Sequence, residues 1–258
     1  MGRRDRDRPA AAPRLGPAAG RRAHLARRVL RHGDRPDPAD APHRDGDPAR
    51  QQPHGHALPC AGRAPVLARH RHRPRGHRFT QVPPNRHRTG GWDDYAVHPE
   101  VREFTLDTPG RWTRLDGDGD VDVKGRLIGG CIEMLCNLAG TPYLDASGFA
   151  RSEAPEGLLV YVEAGGDDSF AICRYLHGMR LAGFFDRANA VLVGRTSAPG
   201  HESLSQHEAV LDALAPLNVP IIADVECGHV APYLPIVNGA RGRVVHTATH
   251  SELTQTLD

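Results

Sequence analysis

From Trp92 onward, short apolar runs alternate with amphipathic stretches. Residues 157–163, Gly-Leu-Leu-Val-Tyr-Val-Glu, predict a buried strand that delivers an acid at its end. Ser169–Leu181 predicts a helix with Phe170, Cys173, Leu176 and Leu181 on one face and Gly183 just past its end. Residues 190–194 give the next strand. Residues 203–214 give a second amphipathic helix, capped by Ser203, with Leu204, Val210, Leu211 and Leu214 on its apolar side. Residues 219–225 form a third strand. Upstream, Gly125-Arg-Leu-Ile-Gly-Gly130 leads into a predicted helix over residues 131–138. Residues 234–237 and 243–246 read as a hairpin around Asn238-Gly239. Strand–helix–strand–helix–strand predicts an α/β layer, here finished by an antiparallel ribbon.

The pattern does not extend upstream of residue 90. The chain has 258 residues with a formal charge of +2, and its 33 basic residues are 32 arginines and Lys124. The first 90 positions hold 21 of those arginines, 13 of 22 prolines and 9 of 16 histidines, but no Ile, Glu, Ser, Tyr or Trp and only one Phe, Phe79. So few large apolar side chains cannot offset the entropy of ordering a backbone, so the segment is expected to be irregular or disordered. Its composition is that of out-of-frame translation in a GC-rich gene. A solvated tail and a basic arm for nucleic acid are the alternatives. No apolar stretch reaches the length of a membrane span and no h-region of a signal peptide is present. Five cysteines without a CxxC pair argue against a disulfide framework or a zinc knuckle, so a reducing cytoplasm is expected.

Three features carry candidate chemistry. Asp116-Gly-Asp-Gly-Asp-Val-Asp122 resembles the start of a calcium loop, but neither register puts Gly at the sixth position and Glu at the twelfth. It reads as a solvated acidic turn before a strand. Gly129 and Gly130, at a predicted helix start, either present amides to an anion or allow close packing. Glu163 ends the most apolar strand, and His229 lies in Glu226-Cys-Gly-His-Val-Ala-Pro232 just beyond another. Loops at the ends of strands in one layer are where α/β proteins place ligand-facing groups. Each residue taken alone reads better as an exposed loop residue. Together, an acid and a histidine form a base–orienter pair in which the carboxylate fixes the imidazole tautomer.

Gly125-Arg-Leu-Ile-Gly-Gly-Cys131, the strand ending in Glu163, Ala190-Val-Leu-Val-Gly194 and Ile222-Ala-Asp-Val-Glu-Cys-Gly-His229 occur in an order that resembles the C-terminal domain of the LD-carboxypeptidase family of serine peptidases. The branch of the microcin C self-immunity proteins is the more similar. Composition and resemblance together divide the chain into three segments: residues 1–91 of low order by composition, a connecting segment 92–124, and, as the resemblance implies, an α/β domain over 125–250 with a mixed sheet or barrel and packed helices. The resemblance implies a Ser–Glu–His triad with Glu163 as acid and His229 as base, and Gly129 and Gly130 lining the substrate site. It implies no cofactor or metal, and a substrate that is a small peptide or peptidyl-nucleotide. A homodimer stays open, and neither a membrane nor nucleic acid is an expected partner. The family's Gly-x-Ser-Asp nucleophile turn is absent, and the first serine of the chain is Ser147. The chain is therefore expected to be an impaired serine carboxypeptidase-like hydrolase. The alternative is a noncatalytic remnant with a basic arm that binds nucleic acid or acidic surfaces; activity that depends on His229 would instead point to Cys131 or a later serine as a replacement nucleophile.

Overall fold

A computed structural model describes residues 75–90, 94, 96–101 and 103–257. Its centre is strand β5 (Val121–Cys131), which joins two halves of one sheet. On one side it pairs in parallel with β6 (Leu158–Glu163), followed by β7 (Ala188–Gly194) and β8 (Ile221–Val225). On the other it pairs antiparallel with β9 (Arg241–His246), which continues into β10 (Ser251–Thr256) and β1 (Arg78–Gln81). The short β4 (Thr113–Arg114) closes the far edge against β8, giving an eight-stranded mixed sheet in the order β1-β10-β9-β5-β6-β7-β8-β4. A separate two-stranded ribbon pairs β2 (Arg86–His87) with β3 (Thr108–Pro109).

Strand alternation sorts the core into two layers. Ile128, Val160, Val162, Val191, Val193 and Ile221 face the helices α2 (Ala146–Glu153), α3 (Ser169–Leu181) and α4 (Gln206–Leu214), where Ala150, Ile172, Leu176, Met179, Val210 and Leu214 meet them. Leu127, Leu159, Ala190, Leu192 and Ile222 face the opposite side, covered by Trp112, Cys227 and the loop bearing Leu234, Ile236 and Val237. Glu163 has the parity of Leu159 and Tyr161. The strand pattern alone therefore aims it at the loop side, where His229 lies.

The α/β class and the strands ending at Glu163, Gly194 and Val225 are present as expected. Several local expectations are corrected. The glycine run 125–130 is strand, and only one helical turn, α1 (Ile132–Leu135), follows it. The backbone stays extended because residues 126–131 pair in parallel with β6, and at Gly129 the approach is so close that a Cβ would fall 1.6 Å from the Tyr161 carbonyl oxygen. α3 has the expected ends, but it buries Ile172, Leu176 and Met179 while Phe170 and Leu181 are exposed. α4 begins at Gln206, because Ser205 and Glu208 complete a capping box while the Gln206 side chain, the partner Ser203 would need, donates to the Asp167 and Pro199 carbonyls. Residues 234–237 form no strand, and β9 pairs instead with β10. The irregular segment expected over 1–91 is corrected at its end, since β1 and β2 fall within it. Residues 1–74 lie outside the described residues.

Candidate functional site

Glu163 and His229 meet at the C-terminal end of the parallel strands. His229 Nδ1 lies 2.8 Å from Glu163 Oε2. Glu163 is only 7% exposed, whereas the His229 side chain is 55% exposed. A neutral imidazole can face a carboxylate only by donating from Nδ1–H, and that tautomer puts the lone pair on Nε2, on a ring open to solvent. This is the arrangement of a general base held in one tautomer.

The two are brought together by missing side chains. A Cβ on Gly228 would lie 2.8 Å from Glu163 Oε2, and one on Gly194 would lie 2.6 Å from Glu163 Cβ and 2.1 Å from the Cys227 carbonyl oxygen. Gly228 also has φ +116°, a backbone state that side-chain-bearing residues rarely adopt. Two further contacts anchor the loop. Buried Glu226 accepts from Trp112 Nε1 at 2.7 Å, and the Arg88 amide donates to the Ala231 carbonyl at 3.0 Å. Burial pushes the Glu226 carboxyl up from its ordinary value.

Glu133 is a member of the site that the sequence pattern does not single out. Its Oε1 accepts the amides of Gly165, Gly166 and Asp167 at 2.8, 3.0 and 3.2 Å, clamping the turn that follows Glu163. Burial would raise this carboxyl, but hydrogen bonds from Cys131 and from the Gly166 and Asp167 amides outweigh it and hold it below its ordinary value. An acid two residues after Gly-Gly-Cys is the signal that the sequence offers, and its partner turn lies 32 residues away.

Cys131 Sγ donates to Glu133 Oε2 at 3.1 Å, and burial together with that bond pushes its thiol up to about 12. A thiol so held is a poor nucleophile, which counts against Cys131 in that role. Among the described residues no serine hydroxyl is hydrogen-bonded to His229. Ser169 donates to the Leu204 carbonyl, Ser203 and Ser251 bond to His201 and His246, and Ser205 caps α4. Gly129 and Gly130 precede Cys131, the last residue of β5 and the register partner of Glu163. The Gly129 amide is already taken by Asn238 Oδ1 at 3.0 Å, whereas a Cβ on Gly130 would meet only the Leu135 side chain, at 3.9 Å. Of the two, Gly129 serves strand packing.

A second polar cluster caps β7 and β8. Arg195 Nη2 donates to the Asp224 carbonyl at 2.8 Å and its Nη1 lies 3.5 Å from Asp224 Oδ1. His207 Nε2 lies 3.4 Å from the same carboxylate oxygen. The bond to Asp224 raises the His207 imidazole above its ordinary value. Burial opposes ionisation of Asp224, but His207 and Arg195 outweigh it and lower that carboxyl.

Residues 124–244 match the family model of the LD-carboxypeptidase C-terminal domain. A Streptomyces coelicolor protein named "Putative carboxypeptidase SCO6489" is 32% identical over 117 residues, covering 45% of this chain and 35% of the relative. A MccF-like protein from Bacillus anthracis is similar in structure, with TM-score 0.51 and 17% identity over 71% of this chain and 52% of that one. MccF in complex with glutamyl sulfamoyl guanosine gives TM-score 0.54 and 17% identity over 72% of this chain and 52% of that one. The chain thus spans about a third of its curated relative and half of these structures. Among the described residues no helix is long and apolar enough to cross a membrane.

Proposed function

We propose, on the premise that residues 124–244 form an LD-carboxypeptidase C-terminal domain, that this chain carries the base–orienter half of a serine carboxypeptidase site. The observation that carries the reading is the 2.8 Å bond from exposed His229 to buried Glu163. In the complete site, His229 Nε2 takes the proton of a serine hydroxyl as its oxygen attacks the amide carbonyl. It then returns the proton to the leaving amine, and water hydrolyses the acyl-enzyme by the same route. Glu163 holds the tautomer and stabilises the imidazolium that forms. Gly130, at the end of β5, borders the space for the substrate. That substrate is an L,D-peptide of murein or a peptidyl-nucleotide, the latter supported by the glutamyl sulfamoyl guanosine complex of the structurally similar MccF. Four free cysteines among the described residues support a reducing cytoplasm.

The sequence contains no Gly-x-Ser-Asp turn, so the chain as written lacks its nucleophile. Loss of the triad nucleophile costs on the order of 10⁶ in turnover. The chain as written should therefore hydrolyse an L,D-peptide or an acyl-sulfamoyl-nucleoside peptide no faster than buffer. The test begins with the gene's other two frames upstream of the codon for residue 75. A version whose upstream frame restores Gly-x-Ser-Asp should hydrolyse one of these substrates, and His229→Ala in it should abolish the activity. Hydrolysis by the chain as written that disappears on His229→Ala would overturn the reading, because one of its own side chains would then be the nucleophile. Activity of the restored version that survives His229→Ala would overturn the role given to His229.

A further inference from the structure

Helices α3 and α4 lie side by side on the helical face of the sheet, away from the Glu163–His229 pair. Where they touch, three side chains of differing chemistry converge. Cys173 and His177 stand four residues apart on α3, and so project from the same side of it. Asp212 reaches them from α4. Its Oδ2 lies 2.8 Å from His177 Nε2 and 3.4 Å from Cys173 Sγ, and all three donor atoms lie within 4.8 Å of one another.

We propose that Cys173, His177 and Asp212 form a binding site for a zinc ion that ties α3 to α4. Zinc takes sulfur, imidazole nitrogen and carboxylate oxygen at about 2.0–2.3 Å, so tetrahedral neighbours stand roughly 3.3–3.7 Å apart. The two measured separations from Asp212 Oδ2 straddle the lower end of that range, and a small rotamer adjustment opens the centre for the ion. Three protein ligands leave a fourth position for water, and solvent reaches the cluster because the Asp212 side chain is 62% exposed. The two ligands from one helix are spaced as in metal-binding i, i+4 pairs. The lack of a CxxC pair excludes a zinc knuckle but has no bearing on a helical Cys-x-x-x-His pair.

Binding rearranges two protons. The Cys173 thiol releases its proton to solvent as sulfur bonds to the ion. The proton on His177 Nε2, which faces the Asp212 carboxylate, must pass through solvent to Nδ1 so that Nε2 offers its lone pair. Arg180 Nη2, 3.3 Å from Nδ1, opposes this and must swing away. Arg180→Gln should accordingly tighten binding several-fold.

Cobalt(II) is the probe, since a thiolate ligand gives it a sulfur-to-metal charge-transfer band that nitrogen and oxygen ligands do not. The titration uses the full chain carrying Cys60→Ser, because Cys60 stands among histidines in the sequence. One equivalent of Co²⁺ should develop the band, and Zn²⁺ should bleach it. Cys173→Ser should remove it and Cys136→Ser should not. Asp212→Asn and His177→Ala keep the thiol, and each should weaken Co²⁺ binding at least tenfold. Absence of the band, its survival in Cys173→Ser, or an affinity unchanged in both Asp212→Asn and His177→Ala would overturn the site.

Discussion

Glu163 is a charged group in a place built for apolar ones, and it is held there by two absent methyl groups. Gly194 and Gly228 let the His229 loop lie against the carboxylate. Gly228→Ala must accept φ +116° and a Cβ 2.8 Å from Glu163 Oε2. Circular dichroism melts should show a loss of about 1–3 kcal/mol, the usual strain for such a residue. An unchanged melting curve would mean that the loop sits elsewhere in solution. A second residue-scale expectation concerns pH. The folded state raises His207 above its ordinary 6.5, so its contribution is complete below 6.5 and is lost as pH rises through the folded value. Asp224 is lowered below its ordinary 3.8, so its contribution holds above 3.8 and fades as pH falls through the folded value. The melting-temperature gap between the chain and His207→Gln should therefore be widest between the ordinary values of 3.8 and 6.5 and should narrow as the pH rises beyond 6.5. A gap that does not narrow on that rise would detach His207 from Asp224.

At the scale of elements, the loop bearing His229 depends on a bond that crosses the sheet edge. Trp112→Phe keeps most of the buried ring but removes the Nε1 donor to Glu226, leaving a buried carboxyl without it. The expected cost is about 1–3 kcal/mol, read as a lowered urea midpoint at constant slope. A neutral substitution would mean that Glu226 finds another partner. Nothing in the sequence joins Trp112 to Glu226, because the link spans 114 residues. What is legible is local. Continuous apolar runs mark β6, β7 and β8, since strands covered on both faces show no alternation. Glu163 and His229 are legible because each directly follows such a run or its short loop. The buried face of α3 is harder to read because Phe170 and Leu181 outweigh Ile172 in bulk, yet Ile172, Leu176 and Met179 share the stripe that meets the sheet. Glu133 and the Gly129–Asn238 clamp act over long sequence distances, which periodicity cannot register. Ser203 with Gln206 and Ser205 with Glu208 both fit the capping-box pattern, so the sequence leaves the cap open; the structure settles it on Ser205, because Gln206 Nε2 is engaged by the Asp167 and Pro199 carbonyls.

At the scale of the whole molecule, the composition break and the structural boundary fall in different places. Arg, His and Pro dominate the sequence to residue 90, yet Arg78–Gln81 forms a sheet edge and Arg88 reaches the His229 loop. Composition reports which residues lack a core of their own, and this segment needs none because it borrows one. β1 adds to an edge already built by β10. Gln81 is 7% exposed and accepts from Gln255 Nε2 at 2.5 Å, Gln255 being fully buried, while Thr80 and Thr254 share a hydroxyl bond of 2.8 Å. Two truncations compared with each other test whether this addition belongs to the fold. A chain starting at residue 75 keeps the edge strand, and one starting at residue 91 leaves β10 with an open row of amides and Gln255 without its Gln81 partner. Losing a buried partner of this kind costs about 1–3 kcal/mol, and the ladder bonds and the Arg88 contact add to it. The chain starting at 91 should therefore melt well below the chain starting at 75, and should show faster amide exchange in Ser251–Thr256 and in the His229 loop. Equal melting temperatures and equal exchange would place the true boundary of the domain at residue 91, and would leave the Glu163–His229 pair standing without help from β1 and β2.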